Sequence, residues 1–138
     1  MIEYDKFQKS LKHLERQYQN CESLDPSQPE LIQEAVTESV IQRFEICYDC
    51  MWKVLKRYLI KELGVPEVPN SPKPILRIAN ENHLLASPIE QWLAYANART
   101  DTAHDYSGEK AQACLELMAG FIDDAVALYQ TMSGNTWK

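Results

Sequence analysis

The chain has 138 residues, 45% of them hydrophobic and 25% charged, which is enough for a single globular domain with a sizeable core over residues 1–138. Its formal net charge of −6 excludes a broad cationic surface that would hold nucleic acid by phosphate contacts alone, so any RNA site must be local. The amino-terminal residues are charged throughout, and no apolar stretch is long enough for a signal peptide or a membrane span. We therefore expect a cytoplasmic protein without membrane contact.

Two amphipathic helices are predicted in the first half of the chain. Apolar residues recur with helical spacing over residues 4–18, and prolines at positions 26 and 29 interrupt that pattern. Residues 30–63 contain no Gly or Pro and keep the helical period, and Gly64 suits a carboxy-terminal cap. The last turns of this second helix carry basic residues. Their positive charge suits the negative end of the helix dipole, so we interpret them as a solvated face. The alternative interpretation is that they contact phosphate. These basic residues are Lys53, Lys56, Arg57 and Lys61.

The cysteines indicate neither a disulfide framework nor a metal site. Cys21, Cys47, Cys50 and Cys114 are too few and too scattered for a disulfide-stapled fold, and we expect them to be reduced. Cys47 and Cys50 form a CxxC pair, but neither a second ligand pair nor a strand-to-helix setting accompanies it. We therefore interpret them as packing thiols on a buried helix, and we expect no metal and no cofactor.

Three further helices are predicted after the proline-rich connection at residues 65–74. A short helix over residues 75–85 has His83 near its end, where a histidine is typical of a surface or capping position. Ser87, followed by Pro88 and by Glu90, predicts a helix that begins at Pro88 with Ser87 in a capping box. Apolar residues at helical spacing over residues 111–129 predict a last helix. Without strand-like alternation, the chain is predicted to be an all-α, antiparallel up-and-down bundle of about five helices.

The apolar stripe of the fourth helix leads into a polar segment. Extending the stripe by one turn brings Arg99 and Thr100 to the inward side. A buried guanidinium must pair with an acid such as Asp101, Asp105 or Glu45, or it must face a cleft, because isolated burial is very costly. The spacing leaves both possibilities open. The stripe itself comprises Ile89, Trp92, Leu93 and Ala96.

Arg99 and His104 are the candidate catalytic pair. They stand five residues apart, and in a helix they would point about 140° away from each other. Either the helix ends between them or they act on different surfaces. An arginine that holds phosphate and a histidine that moves a proton near neutral pH suffice to cleave RNA without a metal, since the ribose 2′-hydroxyl can attack its own phosphate. Tyr106 adds a phenol nearby.

The segment RTDTAHDY, residues 99–106, resembles the motif of the HEPN domains (higher eukaryotes and prokaryotes nucleotide-binding), in which Arg is followed by four residues, His, any residue and Tyr. The match lies on Arg99, His104 and Tyr106, and the order of the helices extends the resemblance over most of the chain. It implies the toxin of a toxin–antitoxin pair, a metal-independent ribonuclease that a separately encoded minimal nucleotidyltransferase silences by adding AMP to Tyr106. It also implies a homodimer that binds RNA or a nucleotide in a cleft shared by the two motifs.

One difference from that motif favours an alternative function. Many active relatives carry Asn or Asp directly after the arginine, whereas this chain has Thr100 there and its acid at Asp101, and we expect both residues to support the cleft. The alternative is a nucleotide- or substrate-binding subunit of a two-component nucleotidyltransferase, without catalysis of its own. A structural helical adaptor is a third hypothesis, and it would need Arg99 and His104 in fixed internal pairs. The chain has no nucleotidyltransferase active site of its own, because it lacks a Gly-Ser followed by paired aspartates on a strand.

Overall fold

The computed structural model describes residues 1–105 and 108–138, and it folds them into five α-helices. Strands are absent from this described part of the chain, which confirms the predicted all-α fold. None of the described helices is both long enough and apolar enough to cross a membrane. The helices are α1 (Asp5–Glu22), α2 (Glu30–Lys61), α3 (Pro72–Glu81), α4 (Ile89–His104) and α5 (Gly108–Ser133).

The core of the bundle is built around α2, which contacts each of the other four helices. Phe44 of α2 packs edge-on against Phe121 of α5 with ring centroids 4.9 Å apart, and Tyr95 of α4 meets the same Phe121 ring at 5.2 Å. Cys47 lies fully buried on this face of α2, and burial raises the pKa of its thiol, as expected for a packing residue. The buried face of α2 comprises Val40, Ile41, Phe44, Cys47, Tyr48, Met51, Val54, Leu55 and Leu59.

The carboxy-terminal end of α2 follows the prediction. Gly64 adopts a left-handed φ of 65°, which lets the Val65 N–H donate to the Leu59 carbonyl at 2.9 Å and closes the last turn. The basic residues before it face water, since Lys53, Arg57 and Lys61 are exposed. This exposure agrees with the solvated-face interpretation, and contact with phosphate stays the alternative.

The third helix lies earlier in the chain than predicted. It spans Pro72–Glu81 instead of residues 75–85, because Pro72 is well suited to a first helical turn. It ends early because His83 adopts a left-handed φ of 59°, and the following Leu84 N–H donates to the Ala79 carbonyl at 3.1 Å. The first helix is longer than its predicted pattern and continues for four residues beyond position 18, to Glu22.

The predicted capping box at the start of the fourth helix is wrong. The cap position is Pro88, the helix begins at Ile89, and the cap makes no side-chain hydrogen bond. The Ser87 hydroxyl instead donates to Asp124 Oδ1 of α5 at 2.6 Å, and the Tyr95 hydroxyl donates to Asp124 Oδ2 at 2.5 Å. The Ser87 hydroxyl thus makes a tertiary contact with α5, while Pro88, which has no side-chain acceptor, occupies the cap position.

The buried face of α4 is also rotated relative to the predicted stripe. Ile89 and Leu93 are only partly buried, and Thr100 is exposed. Arg99 consequently lies at the edge of the core, half-buried, and not at the centre of an inward face. The residues that α4 does bury are Trp92, Tyr95, Ala96, Ala98 and Thr102.

Candidate functional site

The last turns of α4 lie against the middle of α2, where two carboxylates hold Arg99. Asp49 accepts two bonds from the guanidinium, from Nε at 3.3 Å and from Nη2 at 3.1 Å, which is the bidentate geometry that suits a planar guanidinium. Glu45 Oε2 accepts a third bond from Nη1 at 3.2 Å. The arginine is thus fixed in position by two residues one helical turn apart on α2.

Glu45 is itself held from a second direction. The hydroxyl of Thr102, a residue that is only 2% exposed, donates to the same Oε2 atom of Glu45 at 2.9 Å. The side chain of Glu45 is 12% exposed, whereas that of Asp49 is 39% exposed. Glu45 is therefore the inner support of Arg99, and Asp49 is the outer, solvent-screened one.

The sequence predicts part of this arrangement. Glu45 is one of the acids expected to pair with Arg99, and that pairing is confirmed. Sequence reasoning misses Asp49 and Thr102. The signal for Asp49 is present, because it follows Glu45 by four residues on one helical face, but only the packing of α4 on α2 shows that this face meets Arg99.

His104 is the last residue of α4 and is exposed. The helix does not end between Arg99 and His104, yet both line one groove of about 440 Å³ between α2, the start of α3 and α4. The two residues therefore line a common surface. Thr100 also lines this groove, and its hydroxyl donates to the Ala96 carbonyl at 3.2 Å.

Two other predicted site residues are not among the described residues that line this groove. Asp101 is exposed and lies outside the groove lining, and its carbonyl accepts the N–H of Asp105 at 3.2 Å. Tyr106, the predicted site of AMP addition, falls outside the described residues. Within residues 1–105 and 108–138, no group of three or more His, Cys, Asp or Glu side chains is placed to hold a metal ion.

Two aromatic residues of α2 complete the groove, and sequence analysis singles out neither. Trp52 is half-buried and lines the wall formed by α2. Tyr48 is 1% exposed and lines the floor; within the described part of the chain its hydroxyl has no hydrogen-bond partner. Burial raises the pKa of Tyr48, and the neighbouring Asp49 carboxylate raises it further. The spacing of four between Tyr48 and Trp52 places both on one face of α2, which is the only sequence signal for them.

Comparison with known families decides the assignment of the chain. Residues 2–134 match the family described as nucleotidyltransferase substrate binding protein like. The chain belongs to this family. The membership confirms the group of proteins indicated by the segment RTDTAHDY.

One named relative and two solved structures are similar to this chain, and the two structures share its fold. A Haemophilus influenzae protein named "Probable ribonuclease HepT" is 29% identical over 107 residues, which cover 76% of this chain and 73% of that protein. A solved Haemophilus influenzae structure, described as revealing the fold of a substrate binding domain of a nucleotidyltransferase, superposes with a TM-score of 0.84 at 24% identity and covers 95% of this chain and 99% of that one. A crystal structure from Thermus thermophilus superposes with a TM-score of 0.71 at 26% identity, covering 93% and 97% of the two chains.

Proposed function

We propose that this protein is a metal-independent endoribonuclease that acts as the HEPN-type partner of a separately encoded minimal nucleotidyltransferase. The observation that carries the proposal is the placement of Arg99 and His104 on one groove, with the arginine fixed by α2 and the histidine exposed. The name of the Haemophilus influenzae relative supports ribonuclease activity. The family description supports the association with a nucleotidyltransferase.

In the proposed reaction His104 removes the proton from a ribose 2′-hydroxyl. The resulting oxygen attacks the adjacent phosphorus, and the bond from phosphorus to the 5′-oxygen of the next nucleotide breaks. Arg99 stabilises the negative charge that builds up on the phosphate oxygens in the transition state. Solvent protonates the departing 5′-oxygen, so the products are a 2′,3′-cyclic phosphate and a free 5′-hydroxyl.

Arg99 can serve this reaction although two carboxylates hold it. The Asp49 side chain is 39% exposed, so water screens its ion pair with Arg99, and a phosphate can replace it at little cost. The bond that Arg99 donates to the less exposed Glu45 then keeps the guanidinium in place. Asp49 thus releases Arg99 when a phosphate binds, and Glu45 keeps Arg99 in position.

The partner nucleotidyltransferase would silence the ribonuclease by modifying Tyr106. In this step the phenol oxygen attacks the α-phosphorus of ATP, a phosphodiester to AMP forms, and pyrophosphate leaves. The added negative charge and bulk, two residues beyond His104 in the chain, would block an RNA strand. We further propose a cytoplasmic homodimer in which RNA lies in a cleft between two copies of the motif.

A second function is favoured by a specific feature of the site. Arg99 already has two anionic partners, and Thr100 stands where many active relatives carry Asn or Asp. Both features suit a subunit that binds a nucleotide or another substrate for the nucleotidyltransferase without catalysing a reaction, a role that the family description also supports.

Cleavage of a defined single-stranded RNA by the purified protein separates the two functions. We expect wild-type protein to form 2′,3′-cyclic phosphate ends at the same rate with and without EDTA. His104→Ala should abolish cleavage, because it removes the base, and Arg99→Ala should reduce it at least about hundredfold by loss of transition-state stabilisation. His13→Ala is the matched control, since His13 is exposed and lies on α1. Loss of activity in EDTA, or full activity of His104→Ala, would contradict the mechanism.

A further inference from the structure

The groove beside Arg99 has features that phosphate cleavage alone does not use. Arg99 and His104 line it from α4, whereas Trp52 and Tyr48 line it from α2. Its volume of about 440 Å³ exceeds what a single phosphate group fills, and it is within the range of small-molecule sites. The additional space is bordered by an aromatic ring and an unpartnered hydroxyl.

The hydroxyl of Tyr48 points to a missing polar partner. Leaving a buried hydroxyl without a hydrogen bond destabilises a fold, and such groups in native proteins call for a specific explanation. Tyr48 is 1% exposed, and its hydroxyl has no partner among the described residues. Tyr48 lines the groove, so a ligand seated there would supply the bond once a small movement of the ring brings the hydroxyl into contact.

The charges around the groove select the type of ligand. Lys73 lies at the α3 side, where its Nζ donates to Asn97 Oδ1 at 2.8 Å, and Lys53 Nζ lies 5.8 Å from the centroid of the Trp52 ring. The first turn of α3 offers few backbone donors because Pro72 and Pro74 lack an N–H, so the lysine side chain is the main anion-binding group there. An aromatic ring and a basic side chain on one groove suit a single-stranded nucleic-acid base and its phosphate.

We propose that this groove binds one nucleotide of the RNA adjacent to the scissile phosphate. Its base packs against Trp52 and bonds to the Tyr48 hydroxyl, and its phosphate contacts Lys73. The assignment rests on the proposed ribonuclease function and adds a binding subsite to it. Inorganic phosphate cannot pack on the Trp52 ring, so the base, and not the charge alone, provides most of the affinity.

Binding of AMP to the intact protein tests this subsite independently of RNA cleavage. The indole N–H signals of the three tryptophans can be followed by NMR, with Trp52→Phe identifying the Trp52 signal. We expect AMP to shift the Trp52 signal and to leave the Trp137 signal in place, because Trp137 packs on Tyr129, outside the groove. Ribose 5-phosphate, which has no base, and inorganic phosphate should each bind at least about tenfold more weakly than AMP.

Variants separate a binding role from a structural one. Trp52→Ala should weaken AMP and an uncleavable 2′-O-methyl RNA about tenfold, whereas Trp52→Phe and the matched control Trp137→Phe should retain most of the affinity. Tyr48→Phe should also weaken binding but should leave the thermal unfolding temperature unchanged or higher, since it removes an unpartnered hydroxyl. A residue needed only for packing would not show this combination.

The outcomes distinguish the subsite from the ribonuclease itself. If AMP shifts Trp52 while RNA is not cleaved, the subsite is supported and the ribonuclease function fails. If RNA is cleaved but the Trp52 signal does not move, and Trp52→Ala and Tyr48→Phe bind like wild type, the subsite is overturned while the ribonuclease stands. Equal binding of inorganic phosphate and AMP would also overturn it, because the base would then contribute nothing.

Discussion

At the scale of single residues, the exposure of the two acids around Arg99 decides their roles. Arg99 Nη1 and the buried Thr102 hydroxyl both donate to Glu45 Oε2, so this carboxylate has little freedom to move. Asp49 is more exposed than Glu45, so water competes for its bidentate contact with Arg99. Removing the inner support should therefore harm the site more than removing the outer one.

Substitution of Glu45 tests this division of roles. Glu45→Ala should lower the single-turnover rate of RNA cleavage by about tenfold to hundredfold, because a guanidinium displaced by as little as about 1 Å loses transition-state contacts. Glu45→Gln keeps an oxygen that can accept from Thr102 and from Arg99, and we expect it to retain most of the rate. The measurement is the rate of cyclic phosphate formation at saturating protein.

The control for this experiment is Glu38→Ala, since Glu38 is an exposed glutamate on the same helix. It should cleave like wild type and unfold at the same temperature. Unchanged cleavage by Glu45→Ala would show that Arg99 is positioned without Glu45, and the proposed support would be wrong.

At the scale of helices, a buried carboxylate joins the start and middle of α4 to α5. Asp124 is 8% exposed and accepts bonds from Ser87 and Tyr95. Gly120 belongs to the same contact, because a Cβ atom there would lie 3.1 Å from the Tyr95 hydroxyl. This polar contact fixes the amino-terminal part of α4 against α5. The carboxy-terminal part of α4 carries Arg99 and His104.

Tyr95→Phe should weaken this junction. It removes one donor from a buried carboxylate, and we expect the free energy of unfolding at pH 7 to fall by about 1–3 kcal/mol. Burial, and then the bond to Asp124, raise the pKa of Tyr95 above its ordinary value of 10.0. The unfolded chain therefore loses the Tyr95 proton first as the pH rises above 10, and wild-type stability should decline there.

Urea unfolding at pH 7 and above pH 10 measures both effects. The alkaline decline should be shallower in Tyr95→Phe than in wild type, because the variant has no phenol to ionise at this position. Ser87→Ala serves as the matched variant: it also removes a donor to Asp124 but carries no titrating group, so its alkaline decline should match wild type. Equal alkaline slopes in all three proteins would contradict the assignment.

The sequence predicts these helices well because helical period and helix-ending residues are local signals. Gly64 ends α2 as expected, and the period alone indicates all five helices. The capping box failed because the competing acceptor of Ser87, Asp124, is 37 residues away in the chain. Tyr48 was missed for a similar reason, since its position at the groove depends on how α3 and α4 pack against α2.

At the scale of the whole molecule, the predicted homodimer has a candidate contact surface near the motif. Ile46 follows Glu45 on α2 and is 54% exposed, an unusual position for a large apolar side chain in the middle of a long helix. Sedimentation at micromolar concentration should give a dimer for wild type and a monomer for Ile46→Glu. Ile60→Glu is the matched control, since Ile60 is 44% exposed at the far end of the same helix and should leave the dimer intact. A monomeric wild type would remove the argument for a cleft shared by two copies.

The partner nucleotidyltransferase provides the sharpest test of how the complete system works. If it silences a ribonuclease, incubation with this protein, ATP and magnesium should add one or more AMP units at Tyr106, and each unit brings a phosphodiester charge to a position two residues beyond His104 in the chain. Intact-mass spectrometry measures the addition, and the modified protein should no longer cleave RNA. Tyr106→Phe should escape modification and stay active in the presence of the partner, whereas Tyr18→Phe, which alters an exposed hydrogen bond to Glu22 on α1, should be modified like wild type.

A protein that stays unmodified while the complex transfers the nucleotide to a bound small molecule would contradict the toxin hypothesis. That result would favour the substrate-binding subunit, because the groove would then present a substrate to the partner enzyme.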